Sequence, residues 1–208
     1  MIVVLDYGMG NIHSILKALE LFYPEVRFTN DRELIKKAKG LVLPGDGHFH
    51  TAMIHLKELK ENIYEHISQK KPLLGICIGF QILFEDSDEV LKESNLSTVE
   101  GLKLIPGKIR KFSTKNKKYK IPHMGWNKLI ANTNLFSNVP KYFNHYMYFI
   151  HSYRAVDVDD SYVLTWTEYA DERFPSTVKK DHIWGCQYHP EKSDLAGLEF
   201  LKDWIKLL

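Results

Sequence analysis

Pro72-Leu-Leu-Gly-Ile-Cys-Ile-Gly-Phe-Gln81 is the stretch from which the rest of the chain is read. Leu73 to Ile76 is a short apolar run after a Lys-Lys-Pro turn, which predicts a buried strand. A helix is expected to begin just after Cys77. Gly75 and Gly79 stand two residues to either side of the cysteine, the G-x-nucleophile-x-G pattern with Cys in the place of Ser. A sharp strand-to-helix turn crowds its neighbours, so glycines suit those positions. Such a turn pushes the sulfur out of the backbone and sets it at a helix N-terminus. There the helix dipole favours thiolate, and backbone N–H groups can receive a developing oxyanion. Taken alone, the stretch fits a buried structural cysteine between packing glycines equally well.

Working towards the N-terminus, the elements alternate. Ile2 to Leu5 reads as a buried strand, Asp6-Tyr-Gly-Met-Gly-Asn11 as a tight turn, and Ile12, Ile15, Leu16, Leu19 and Phe22 keep helical spacing. The turn is not a dinucleotide fingerprint, because the third glycine of G-x-G-x-x-G would fall at His13. Val26 to Thr29 is a second strand, Asp31 to Lys39 a weak helix, and Gly40 to Leu43 a third strand. Pro44-Gly-Asp-Gly47 follows as a loop at the carboxyl end of a strand, the edge where open α/β sheets bind ligands. Leu56, Leu59, Ile63 and Ile67 predict the next helix. The β, α, β, α order predicts an α/β fold, a parallel sheet with helices on both faces.

Beyond about Gly101 the texture changes. Ile105 to Phe112, Tyr146 to Tyr153 and Tyr162 to Tyr169 read as antiparallel strands, and Leu198, Leu201, Ile205 and Leu208 mark a closing helix. With no linker or internal repeat, residues 1–208 are expected to form one domain with an antiparallel extension in the second half.

Composition excludes several classes of function. With 44% apolar and 26% charged residues and a net charge of +2, the chain is an ordinary globular one rather than a nucleic-acid protein. Its densest basic run, Lys115-Asn-Lys-Lys-Tyr-Lys120, is expected to be a solvated hairpin tip. Two cysteines, Cys77 and Cys186, give no disulfide framework and no C-x-x-C zinc motif, and the histidines lack ligand spacing, so no metal or cofactor is expected. The N-terminal apolar run meets Asp6 at once, so neither a signal peptide nor a membrane span is expected, and the setting is reducing and cytoplasmic.

A second constellation, Gly185-Cys-Gln-Tyr-His-Pro-Glu191, stands near the C-terminus. After an apolar strand, His189 would take the Cys77 proton and Glu191 would hold the imidazole's tautomer. A chain with ten histidines offers many such pairs, and this one gains weight only beside the cysteine elbow.

Together these motifs resemble the class I (triad-type) glutamine amidotransferases, and the resemblance covers nearly the whole length. Asp6-Tyr-Gly-Met-Gly-Asn11, Leu43-Pro-Gly-Asp-Gly47, Gly75-Ile-Cys-Ile-Gly-Phe-Gln81, Pro122-His-Met-Gly-Trp-Asn127, Phe149-Ile-His-Ser-Tyr153 and Gln187-Tyr-His-Pro-Glu-Lys-Ser193 match in order. The first and fourth blocks, with the Lys-Ser after Pro-Glu, narrow it to the branch serving histidine biosynthesis. Asp46 departs from the family's more usual Val, and Ile78 and Phe80 replace the commoner Leu and Met.

The resemblance implies a three-layer, flavodoxin-like, mostly parallel sheet with flanking helices. It implies hydrolysis of L-glutamine through a γ-glutamyl thioester on Cys77, with His189 and Glu191 completing the triad. The oxyanion would be received at Ile78 and at the Gly45–Asp46 segment, whose peptide must turn inward. Gly47, Gln81, Ser152 and Tyr153 would hold the substrate. Ammonia would pass to a (β/α)8-barrel cyclase partner that forms imidazole glycerol phosphate and an aminoimidazole carboxamide ribotide, docked near Asn11, Met124, Trp126 and Tyr148. Three rivals remain: an amidotransferase with another acceptor, such as a surface sugar, a non-catalytic regulatory subunit, and a cysteine α/β-hydrolase whose acid would be Asp157 or Asp171.

Overall fold

The computed structural model describes residues 1–10, 12–113, 118–136 and 138–208. In chain order the parallel half contains β1 (Ile2–Leu5), α1 (Ile12–Glu20), β2 (Val26–Thr29), α2 (Arg32–Lys37), β3 (Gly40–Leu43), α3 (Phe49–His55), α4 (Lys60–Ser68), β4 (Leu73–Ile76) and α5 (Ile78–Gln81). The second half adds β5 (Asp86–Ser87), β6 (Val99–Glu100), β7 (Lys108–Lys111), β8 (His123–Lys128), β9 (Ile130–Ala131), β10 (Tyr146–His151), β11 (Tyr153–Val156), β12 (Val163–Tyr169), β13 (Glu172–Lys180), β14 (Ile183–Cys186) and α6 (Asp194–Ile205).

The main sheet runs β2-β1-β3-β4-β14-β13-β12-β9. Its first five strands are parallel, and β13, β12 and β9 extend it antiparallel. The parallel strands are apolar throughout because both faces are covered. Along β1 the side chains alternate: Val3 and Leu5 join Ile35, Phe49, Leu56 and Ile63 on one side, and Ile2 and Val4 join Ile15, Leu19, Phe200 and Trp204 on the other. That is the three-layer α/β architecture expected from the sequence. Two small sheets, β10-β8 and β11-β7-β5-β6, are formed by the second half of the chain, and β10 reaches the carboxyl edge of the main sheet, where the Ile150 carbonyl lies 3.8 Å from Cys77 Sγ. No helix among the described residues is long and apolar enough to cross a membrane.

One element departs from expectation, and another ends in a way the sequence left open. The helical segment before β4 starts earlier than Leu56, at Phe49, where Phe49, Ala52, Met53 and Leu56 are buried on one face, and a 3-10 joint at Leu56–Leu59 separates α3 from α4. The helix after Cys77 is one turn, Ile78–Gln81. Its end is set by distant chain: the Leu102 and Leu104 amides donate to the Ile82 and Leu83 carbonyls, drawing them away from a continuing helix. Of the basic run 115–120, residues 115–117 lie outside the described residues, as does Asn11.

Candidate active site

The nucleophile and its partner histidine meet because their strands are neighbours. β4 and β14 are parallel, with Gly75 opposite Gly185 and Ile76 opposite Cys186, so Cys77 and His189 both leave the sheet at its carboxyl edge. The Cys77 amide donates to the Cys186 carbonyl at 2.8 Å, which pins the elbow to β14. Cys77 itself has φ 52°, a conformation L-residues avoid. The glycines around it are held to that residue by contact. A Cβ on Gly79 would lie 1.9 Å from the Leu43 carbonyl oxygen, and one on Gly75 would lie 2.4 Å from the Gly79 oxygen.

His189 is buried and fixed at three points. Its amide donates to the Tyr148 carbonyl at 2.9 Å, its carbonyl accepts from Ser193 Oγ at 2.5 Å, and Nδ1 meets Glu191 Oε1 at 2.7 Å. Burial disfavours charge on this ring, but the facing Cys77 sulfur and then Glu191 outweigh it and hold His189 at about 10. A protonated imidazole is the partner that stabilises a thiolate. Glu191 is the carboxylate on Nδ1, whereas Asp157 is exposed and pairs with Lys108 at 3.9 Å. That geometry matches a Cys-His-Glu arrangement and not the hydrolase reading.

The sulfur opens into a cavity of about 340 Å³. Asp46, Gly47, Ile78, Gln81, Ser152 and Tyr153 line it with Cys77, and Gly45 stands just behind, against Ile78. Tyr148 lies at its edge. Met124 and Trp126, at 60% and 54% exposure, sit on the outer face of the β8–β10 pair, where Trp126 is opposite Tyr148 with ring centroids 6.2 Å apart. A larger groove of about 730 Å³ runs between α6 and the Pro140–Tyr146 segment and includes neither Cys77 nor His189.

The loop over the site is braced from β1. The Tyr7 hydroxyl donates to the Pro44 carbonyl, and burial raises that phenol's pKa, keeping it a donor. Asp46 then reaches across: Oδ1 is 3.3 Å from His189 Nε2 and Oδ2 is 4.0 Å from Lys192 Nζ. The carboxylate thus lies beside His189 Nε2, a contact the usual Val could not make.

Glu89 also lines the cavity and was not readable from the sequence. Burial pushes its carboxyl up to about 7, against the opposing pull of a 2.7 Å hydrogen bond from the Phe49 amide. A carboxyl poised near 7 in the cavity wall predicts a pH dependence: KM for a cationic substrate should rise as pH falls below about 7, where this group loses its charge. Initial rates across pH 6–8 for wild type and Glu89→Gln check this; the variant's KM should be higher and flat with pH.

The Glutamine amidotransferase class-I family profile matches residues 3–207. The imidazole glycerol phosphate synthase subunit HisH of Carboxydothermus hydrogenoformans is 43% identical, with all of both chains covered, and that of Methanocaldococcus jannaschii is 41% identical, also over all of both. Among solved structures, a glutamine amidotransferase crystal structure superposes with a TM-score of 0.72 at 16% identity, covering 99% of this chain and 97% of that one, a likeness of fold alone. The fold, the meeting of sulfur and imidazole on adjacent strands, and these matches agree: the chain belongs to the class-I glutamine amidotransferases, within them to the HisH family of imidazole glycerol phosphate synthase subunits.

Proposed function

We propose that this chain is the glutaminase subunit of an imidazole glycerol phosphate synthase, with residues 1–208 acting as one domain. Support for one domain comes from the two cores, each of which draws residues from both halves of the chain. The observation that carries the catalytic reading is the buried His189, which follows the strand paired with the one that leads into Cys77 and has Nδ1 held by Glu191 at 2.7 Å.

The thiolate of Cys77 attacks the side-chain amide carbon of glutamine. The oxyanion is received by the Ile78 amide and by an amide of the Gly45–Asp46 segment once that loop turns. His189 gives its proton to the departing ammonia, leaving a γ-glutamyl thioester. It then takes a proton from the water that releases glutamate. Gly47, Gln81, Ser152, Tyr153 and Glu89 surround the substrate's amino-acid end.

Ammonia leaves towards a (β/α)8-barrel cyclase. The exposed Met124 and Trp126, continuous with the cavity through Tyr148, are the docking face, with Asn11 assigned to it on sequence grounds. A free thiol nucleophile suits the cytoplasm. The isolated chain should hydrolyse glutamine slowly and the nucleotide-loaded cyclase should accelerate it by about 100-fold or more, the usual weight of one oxyanion donor. Glutamate release with and without the cyclase tests this; equal rates would sink it, and acceleration only by another synthase's acceptor domain would favour the surface-sugar alternative.

A further inference from the structure

Gln187 immediately follows β14 and is fully buried. Its Nε2 lies 3.8 Å from Cys77 Sγ. Whether an amide presents N–H or C=O to a sulfur decides whether it favours or opposes thiolate, and the two ends are easily exchanged. Here the exchange is blocked. Gln81 Nε2 is 3.2 Å from the Tyr153 carbonyl oxygen, which only accepts, so the Gln81 nitrogen faces it. That same nitrogen is 3.1 Å from Gln187 Oε1, which leaves the Gln187 nitrogen for the sulfur.

The Tyr153 carbonyl is itself held by a second string. His151 Nδ1 lies 2.7 Å from it and must donate. Burial holds His151 well below its ordinary pKa, so the ring is neutral and Nε2 accepts from His123 Nδ1 at 2.9 Å. His123 is likewise neutral through burial, and its Nε2 accepts from Asn127 Nδ2 at 3.2 Å. Asn127 is oriented independently: Oδ1 accepts from the Lys128 amide at 2.7 Å and Nδ2 donates to the Glu168 carbonyl at 2.9 Å. Read from either end, the protons fall in the same places.

We propose that Gln187 stabilises the Cys77 thiolate as an N–H donor, that Gln81 is the positioning residue that fixes its direction, and that His151, His123 and Asn127 hold in place the Tyr153 carbonyl to which Gln81 is tied. The proposal rests on the glutaminase reading for its consequence, not for its geometry. It meets a need: α5 is one turn, so its dipole is slight, and the Ile150 carbonyl 3.8 Å from the sulfur suits the thiol, not the thiolate. Among the described residues, the other titratable groups about the sulfur are His189 after β14 with Glu191 on its Nδ1, Tyr7 after β1, Cys186 at the end of β14 and His151 on β10; Asp46, Glu89, Tyr148, Tyr153 and Lys192 share the cavity.

Nitrogen-15 NMR of the histidine-labelled chain should find His123 and His151 both neutral with the proton on Nδ1. An Nε2–H tautomer or an imidazolium at either ring near pH 7 overturns the string. Gln187→Met keeps the volume and removes the donor. Its Cys77, followed by peptide mass after iodoacetamide, should alkylate about tenfold more slowly at pH 7, with the pH profile moved to higher pH. Its kcat should fall with KM little changed. Asn127→Leu should shift the same profile in the same direction by less. A Gln187→Met profile superposing on wild type overturns the donor role, provided the melting midpoint shows a folded chain. A shifted profile in a chain that never hydrolyses glutamine would instead refute the glutaminase reading and leave the donor role standing.

Discussion

Cys77→Ala should release no measurable glutamate, a loss of about 10⁴-fold or more, while its melting midpoint stays near wild type. The side chain is small and its removal leaves the elbow glycines untouched, so the effect is chemical. His189→Ala should fall to the same floor, because nucleophile and base act as one unit and their losses do not add. Glu191→Gln is the sharper measurement. The Nδ1···Oε1 contact of 2.7 Å sets the imidazole's tautomer and supports its positive charge. An amide there keeps the shape and gives up the charge, which should cost roughly 10²- to 10⁴-fold in kcat. The sign with pH follows from the raised His189. Removing a cause of that rise lowers the ring's pKa, so the imidazolium should be lost at lower pH than in wild type. Steady-state rates from pH 6 to 10 check both; an undiminished Glu191→Gln would return attention to the aspartates of the hydrolase reading.

Gly79→Ala should damage the fold rather than the chemistry. The added methyl would stand 1.9 Å from the Leu43 carbonyl oxygen and 3.1 Å from Leu43 Cβ, so β3 or the elbow must shift. Overpacking against backbone costs about 3 kcal/mol. For a chain of 208 residues that lowers the melting midpoint by roughly 6–12 °C. The mechanism here is close approach, not backbone freedom, since Gly79 sits in a helical turn. Gly47→Ala is the contrast: φ is +145° and the methyl would also meet Met9 Cε at 2.1 Å, a flexible tip that can move. A Gly79→Ala protein with a wild-type midpoint would show that elbow and third strand are less tightly joined than drawn.

The parallel half was legible because burial on two faces leaves no choice of residue. Strands such as Ile2–Leu5 and Gly40–Leu43 are uninterrupted apolar runs, and the glycine-flanked cysteine announces a turn. The start of α5 just after Cys77 was legible, but its end was not, because that end depends on amides from Leu102 and Leu104, far along the chain. α3 escaped notice although Phe49, Ala52, Met53 and Leu56 keep helical spacing, because the following Leu56–Ile67 pattern draws one continuous helix through the joint. Of the site, the sequence named Cys77, His189 and Glu191, and the structure brings them together. Glu89 was invisible for a different reason: a lone acidic residue between Asp88 and Val90 carries no local signal, and only the fold turns it inward. The string from Asn127 to Gln187 joins short local links across distant segments, with His123 and His151 standing 28 residues apart and Gln81 and Gln187 106 apart, and has no sequence signature beyond two histidines in separate blocks. Asp46 was noticed as unusual, but its reach to His189 and Lys192 follows only from how the loop lies.

The pairing of β4 with β14 bears on how such a chain tolerates change. Between Ile76 and Ile183 the polymer makes a long excursion through the small sheets and back, yet the two reacting groups stay aligned by the ladder between neighbouring strands. Their registration is therefore indifferent to the length of that excursion. Loops within it that carry none of the cavity or string residues are free to lengthen or shorten, and the nucleophile will still find its base.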